Sequence, residues 1–108
     1  MSEAILVKGS YSESNTKTLV FKEVKIPTSA WEQYITNPTK DDVYIYRATA
    51  VCTGLTSDYI PEVIFDMADA TSGDFAPVCE SGTGAITIYA RKIPEKEISF
   101  TVKATLEI

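Results

Sequence analysis

The chain has 108 residues, 44% hydrophobic and 23% charged, which is the length and composition of one globular domain that buries its own core. Ten basic against fifteen acidic residues give a net charge of −5, which argues against binding of nucleic-acid phosphates. Histidine is absent, so the commonest general base, the commonest zinc ligand and Ser-His-Asp or Cys-His sites are excluded.

The amino terminus carries one short apolar run, Ala4 to Val7, directly after Glu3. This run is too short for the core of a signal peptide or for a membrane span. We therefore expect synthesis in the cytoplasm without a signal peptide, and no membrane insertion.

The first half of the chain is rich in β-forming residues. In KTLVFKEVKI (17–26) the apolar positions change parity after Phe21, which predicts a bulge or tight turn near Lys22 and Glu23. DVYIYRATAVC (42–52) is apolar at almost every position and predicts a central strand with both faces covered. The turn-rich segment TGLTSDYIP then precedes a short strand, EVIF.

The second half predicts one helical turn followed by strands. In DMADATSG (66–73), Asp66 can cap the helical start and Gly73 can adopt left-handed geometry at its end. SGTG (81–84) lacks the Lys and Ser or Thr of a P-loop and precedes a strand, so Gly82 and Gly84 predict a chain reversal.

The last two apolar runs, GAITIYARK (84–92) and EISFTVKATLEI (97–108), alternate with period two. Half-buried antiparallel strands have this pattern, and Pro94 lies in the loop between the runs, so they predict two adjacent strands. About seven short strands separated by turns predict an all-β fold. We expect a single antiparallel β-sandwich, jelly-roll or immunoglobulin-like, over residues 1–108.

No cofactor or metal site is expected. The acidic side chains around the helical turn do not have the spacing of a calcium loop and are expected to be solvated; they are Asp66, Asp69, Asp74 and Glu80. Cys52 and Cys79 are not in CxxC spacing, and we expect two free thiols that behave as small buried hydrophobes.

Aromatic side chains are the remaining binding candidates, because tyrosine and tryptophan combine apolar area with a polar tip. The candidate surface aromatics for a glycan or a protein are Trp31, Tyr34, Tyr59 and Tyr89. The alternative is that Trp31, together with Tyr44 and Tyr46, packs the sandwich and its rim.

A string of motifs covers the chain from about Ser29 to Phe100. These are AWEQY, DDVYIYRATAVCTGLTSDYIPEVIF and ADATSGDFAPVCESGTGAITIYARKIPEKEISF. In this order they resemble the carboxy-terminal β domain of phage and prophage structural proteins of Firmicutes, often tail-fibre or head-fibre-like.

The resemblance implies a non-enzymatic virion structural module that serves as a fibre tip or receptor-binding part. It implies other virion proteins or a host-surface glycan or protein as partners, a homotrimer, and association with the virion. The alternative is a small carbohydrate-binding or carbohydrate-processing module, in which Asp58 and Glu62 would be the acid and base.

Overall fold

The computed structural model describes residues 16–107, so the expectation for Ala4 to Val7 lies outside the described residues. The described elements are β1 (Thr16–Ile26), a 3-10 turn (Thr28–Ala30), β2 (Glu32–Gln33), β3 (Tyr46–Val51), β4 (Ile60–Phe65), α1 (Met67–Ser72), β5 (Phe75–Gly82), β6 (Ala85–Ala90) and β7 (Ile98–Glu107). None of the helices in this part of the chain is long and apolar enough to span a membrane.

The strands form two antiparallel sheets, one of three strands in the order β1-β7-β4 and one of four in the order β2-β3-β6-β5. The predicted all-β sandwich is therefore confirmed. Where the sheets meet laterally, β1 lies beside β3 and β4 lies beside β5. We call these two lateral regions the β1/β3 side and the β4/β5 side.

The core lies between the sheets and is built from alternate residues of each strand. Its fully buried members on the last two strands are Ile86, Ile88, Ala90, Val102 and Ala104. The predicted alternation is thus confirmed, but β6 and β7 belong to different sheets and do not pair. Period two shows that one face of each strand is buried without specifying which strand lies beside it.

The predicted bulge in β1 is present. Phe21 pairs with Val102 and Val24 with Phe100, so Lys22 and Glu23 together stand opposite one residue of β7. Glu23 has a φ of 54°, in the left-handed region. The extra residue restores the inward direction of the apolar side chains after the change of parity.

The prediction that both faces of the strand around residues 42–52 are covered is wrong. Burial alternates along β3, and Val51 is 80% exposed. On its outer edge β3 pairs with β2 only at Tyr46 and Arg47, because β2 is two residues long. β-branched and aromatic composition here reflects strand propensity rather than burial on two faces.

The predicted start and end of the helical turn, and the predicted chain reversal at residues 81–84, are confirmed. Asp66 Oδ1 accepts a hydrogen bond from the Asp69 backbone N–H at 2.9 Å, and Gly73 ends α1 with a φ of 78°. β5 and β6 form a hairpin whose turn contains Gly84 with a φ of 69°. Gly82 lies in β5 without a positive φ, so the reversal depends on Gly84.

Both cysteines are free thiols, as expected. Cys52 is buried, and Cys79 is half-buried between the edges of β4 and β5, where the backbone of Val63 hydrogen-bonds its thiol. Burial raises the pKa of both thiols, which makes them poor nucleophiles at neutral pH.

We expect Phe100→Ala to lower the free energy of unfolding by about 3–5 kcal/mol, because it opens a cavity in the core. Phe100 is 4% exposed, and its ring centroid lies 5.6 Å from that of Phe65. Lys103 is exposed on the outer face of the same strand, so Lys103→Ala should change stability by less than about 0.5 kcal/mol. Chemical denaturation measures both; similar small losses would show that β7 is a frayed strand.

The turn between β5 and β6 contains its own matched control. Gly84→Ala should destabilise the protein by about 1 kcal/mol, because the alanine must adopt a left-handed conformation. Gly82→Ala should change stability by less than about 0.5 kcal/mol, because it needs no positive φ. An added Cβ meets nothing within 4 Å at either position, so the difference in thermal or chemical unfolding reports backbone strain alone. Equal effects would contradict this assignment.

Candidate functional site

Two of the four candidate aromatics lie in the core. Trp31 and Tyr59 are each 6% exposed, so the prediction of a surface position is wrong for both. Trp31 follows the 3-10 turn and packs on Phe75, with ring centroids 6.1 Å apart. For Trp31 the structure therefore agrees with the packing alternative, and both rings contribute apolar area to the core.

The other two candidates lie together on the outer face of the four-stranded sheet. The rings of Tyr34 and Tyr89 have centroids 5.3 Å apart and are tilted by 58°. Tyr34 is 36% exposed and donates a hydrogen bond from its hydroxyl to the Tyr44 carbonyl at 2.9 Å. Tyr89 belongs to β6, whereas Tyr34 follows β2, so their contact depends on β3 lying between these strands.

Arg47 on β3 connects the two tyrosines to an acidic side chain. Its Nε donates to Glu32 Oε2 at 2.9 Å, and its guanidinium carbon lies 5.3 Å from the centroid of the Tyr34 ring. The hydrogen bond that Arg47 donates to Glu32 raises the pKa of Arg47 above its usual value. Strand register brings the charged pair together, because Glu32 stands opposite Arg47.

Sequence reasoning missed Arg47 and Glu32. Arg47 is the single charged residue between positions 43 and 52, and this feature of the sequence could have identified it. A lone charge in an apolar strand indicates an outward-facing position. The pairing with Glu32 had no sequence signal, because fifteen residues separate the two.

Tyr89 is fixed at its other end by Glu80 on β5. Its hydroxyl donates a hydrogen bond to Glu80 Oε1. Partial burial of the phenol, and then Glu80, raise the pKa of Tyr89 to about 12. The carboxylate favours the protonated phenol, because it accepts its hydrogen bond and repels the phenolate.

These side chains form one surface, which we call the tyrosine–arginine face; its members are Glu32, Tyr34, Arg47, Glu80 and Tyr89. Each member contacts at least one other member across the strands. The next row of the same face continues with Thr49 and Thr87, whose hydroxyls lie 3.1 Å apart. The face thus offers donors, acceptors and apolar ring area held in fixed positions.

The two carboxylates of the enzymatic alternative lie elsewhere. Asp58 is exposed in the turn before β4, where its backbone N–H donates to the Thr56 hydroxyl at 3.3 Å. Glu62 is exposed on the outer face of β4, opposite Lys103 in register. The structure therefore places Glu62 on the sheet opposite to the one that carries Tyr34 and Tyr89.

The acidic side chains around α1 have structural contacts. Asp66 caps the helix, and Asp74 lies 3.9 Å from the ammonium of Lys92. Among residues 16–107, no group of three or more His, Cys, Asp or Glu side chains is arranged to hold a metal ion.

Comparisons with protein-family models, with curated proteins and with solved structures found no match. The resemblance to the β domain of phage structural proteins therefore remains an expectation from the sequence.

The raised pKa of Tyr89 provides a titration test. One tyrosine should ionise near pH 12, and Glu80→Gln should lower its pKa, because the variant lacks the carboxylate charge. The folded-state pKa exceeds the ordinary value of about 10. The contact therefore contributes its full stability below about pH 10, and this stability is lost as the pH rises through about 12. Tyrosinate absorbance measures the titration, and Tyr89→Phe assigns the signal. An unchanged titration in Glu80→Gln would contradict the assigned cause.

Proposed function

We propose that the protein is a non-enzymatic binding module that contacts a protein on a host surface through the tyrosine–arginine face. The observation that carries the proposal is the outward-facing group of exposed Tyr34 and Arg47 with half-buried Tyr89, held at both ends by hydrogen bonds to carboxylates. The resemblance to phage structural proteins supports a place for this module in a virion, as a fibre tip or receptor-binding part.

Side-chain chemistry favours a protein partner. Tyrosine and arginine are enriched among the residues that dominate the binding energy of protein interfaces. Here they are already held by one another, by Glu32 and by Glu80, so binding requires less loss of side-chain freedom. A protein–protein interface needs no pocket, so the outer face of a sheet can form one.

Ring geometry argues against a glycan platform. Stacking on sugars favours exposed rings that share a plane, whereas Tyr34 and Tyr89 are tilted by 58°. The Arg47 guanidinium also covers one face of the Tyr34 ring. Glycan binding is therefore the second candidate, and the experiment below separates the two.

The charges of the face indicate the chemistry of the partner surface. Glu32 and Glu80 are exposed at opposite ends of the group, with Arg47 between them. Basic side chains on the partner would pair with the two carboxylates. An acceptor between them would bind the N–H groups of Arg47 that Glu32 leaves free.

Binding of the fluorescently labelled full-length protein to cells of several Firmicutes tests the proposal. Tyr34→Ala and Arg47→Ala should each weaken binding by roughly tenfold or more. Lys103→Ala, on the outer face of the opposite sheet, is the matched control and should bind like the unaltered protein. Circular dichroism establishes that each variant is folded.

Treatment of the cells identifies the partner. Protease digestion should abolish binding, whereas periodate oxidation of surface sugars should leave it unchanged. Loss of binding after periodate alone would establish a glycan partner instead. Unchanged binding by both face variants, or no binding to any of the cells, would overturn the proposal.

A further inference from the structure

The two sides of the sandwich differ in charge. On the β1/β3 side, a groove of about 610 Å³ runs between the bulge of β1 and the end of β3. Its charged lining residues are Lys22, Lys25 and Glu23. A groove with two lysines and one carboxylate is a basic site on a chain whose net charge is −5.

The β4/β5 side has the opposite character. A groove of about 380 Å³ lies between the edges of β4 and β5, and its charged lining residues are Glu62 and Asp69. Glu62 is exposed, and Asp69 is half-buried on α1. Lys103 stands opposite Glu62 in register, and Lys96 lies near Asp69, but Asp66 and Asp74 also lie near Asp69. Carboxylates therefore stay in excess around this groove, whereas lysines are in excess in the lining of the groove on the other lateral edge.

Both sides also present strand edges and exposed apolar side chains. β1, β4 and β5 are the outermost strands of their sheets within the described residues, and β3 lacks a neighbour beyond Arg47. The backbone N–H of Cys52 donates to Gly84 next to β6, so by alternation the N–H and C=O of Val51 point toward the open edge. Val51 is exposed on one side, and Val78 is 65% exposed on the other.

We infer that the β1/β3 side of one copy of this chain docks against the β4/β5 side of a second copy. Lysines would face carboxylates across the contact. The exposed strand edges also carry unpaired backbone N–H and C=O groups that can hydrogen-bond another chain. The contact is heterologous, because two different surfaces meet, so it either closes into a ring or extends into a filament. The residues that line the two grooves include no member of the tyrosine–arginine face.

A second copy is the favoured occupant because the complementary surface is on the same molecule. The side that carries lysines and an exposed valine meets one that carries carboxylates and another exposed valine. Two identical sides would instead place like charges opposite one another. Attraction of this kind weakens as salt screens the charges.

Sedimentation velocity of the full chain at high micromolar concentration tests the inference. The protein should sediment as an oligomer in low salt and shift toward its monomer mass of 11.9 kDa in high salt. The double variants Lys22→Glu/Lys25→Glu and Glu62→Lys/Asp69→Lys should each associate at least roughly tenfold more weakly. Glu62→Lys alone, at an exposed strand position, serves if the second double variant does not fold.

Mixing supplies the decisive measurement. Each double variant retains one native side, so every contact between unlike variants in an equimolar mixture brings opposite charges together, and the mixture should associate more tightly than either variant alone. Lys40→Glu and Asp41→Lys reverse charges in an exposed loop that lines neither groove and should leave association unchanged. A monomeric unaltered protein in low salt, or folded variants that do not associate when mixed, would overturn the inference.

Discussion

The sandwich depends on the position of β7 in the middle of its sheet. This strand pairs with β1 on one edge and with β4 on the other, so it is the only one of the three that supplies backbone partners on both sides. Its inner residues, among them Phe100 and Val102, meet the buried residues of β6 in one core. Among residues 16–107, neither β1 nor β4 has another strand partner in this sheet, so the three-stranded layer described here requires β7 to be in place.

The same arrangement explains why the contacts of this protein are far apart in sequence. β1 and β7 pair from Thr16 and Glu107 to Ile26 and Ile98, which joins the two ends of the described chain. Pairing of this kind requires closure of a long loop before any hydrogen bond forms. The bulge at Glu23 keeps this long pairing in register with the core, because the apolar parity of β1 changes there.

The surfaces for which we propose binding are made of residues that the core does not use. The inward positions of β3 and β6 bury Ala48, Ile86 and Ile88, and the alternate positions bring Arg47 and Tyr89 to the outer face. Because successive side chains of a strand point to opposite faces, the same residues that fix the core register also fix the spacing of the tyrosine–arginine face. The two lateral sides do not depend on this alternation, because their exposed groups belong to strand edges and to the β1 bulge.

The sequence by itself determined the strands and their ends. Period two identified the buried faces of β6 and β7, the change of parity located the bulge in β1, and Asp66, Gly73 and Gly84 marked a helix and a turn. These are local signals, because a cap, a positive φ or an alternation involves residues within a few positions of one another. The sequence also singled out Tyr34 and Tyr89, although it did not separate them from the buried Trp31 and Tyr59.

Only the tertiary structure decided which strands are neighbours. It placed β6 and β7 in different sheets, left one face of β3 exposed, and brought Glu32, Arg47 and Glu80 to the two tyrosines. Strand order and register are fixed by how two sheets bury a common core, and a single strand's pattern is compatible with several neighbours. The tyrosine–arginine face and the charged grooves follow from that order, so they could not be derived from the pattern of any one segment.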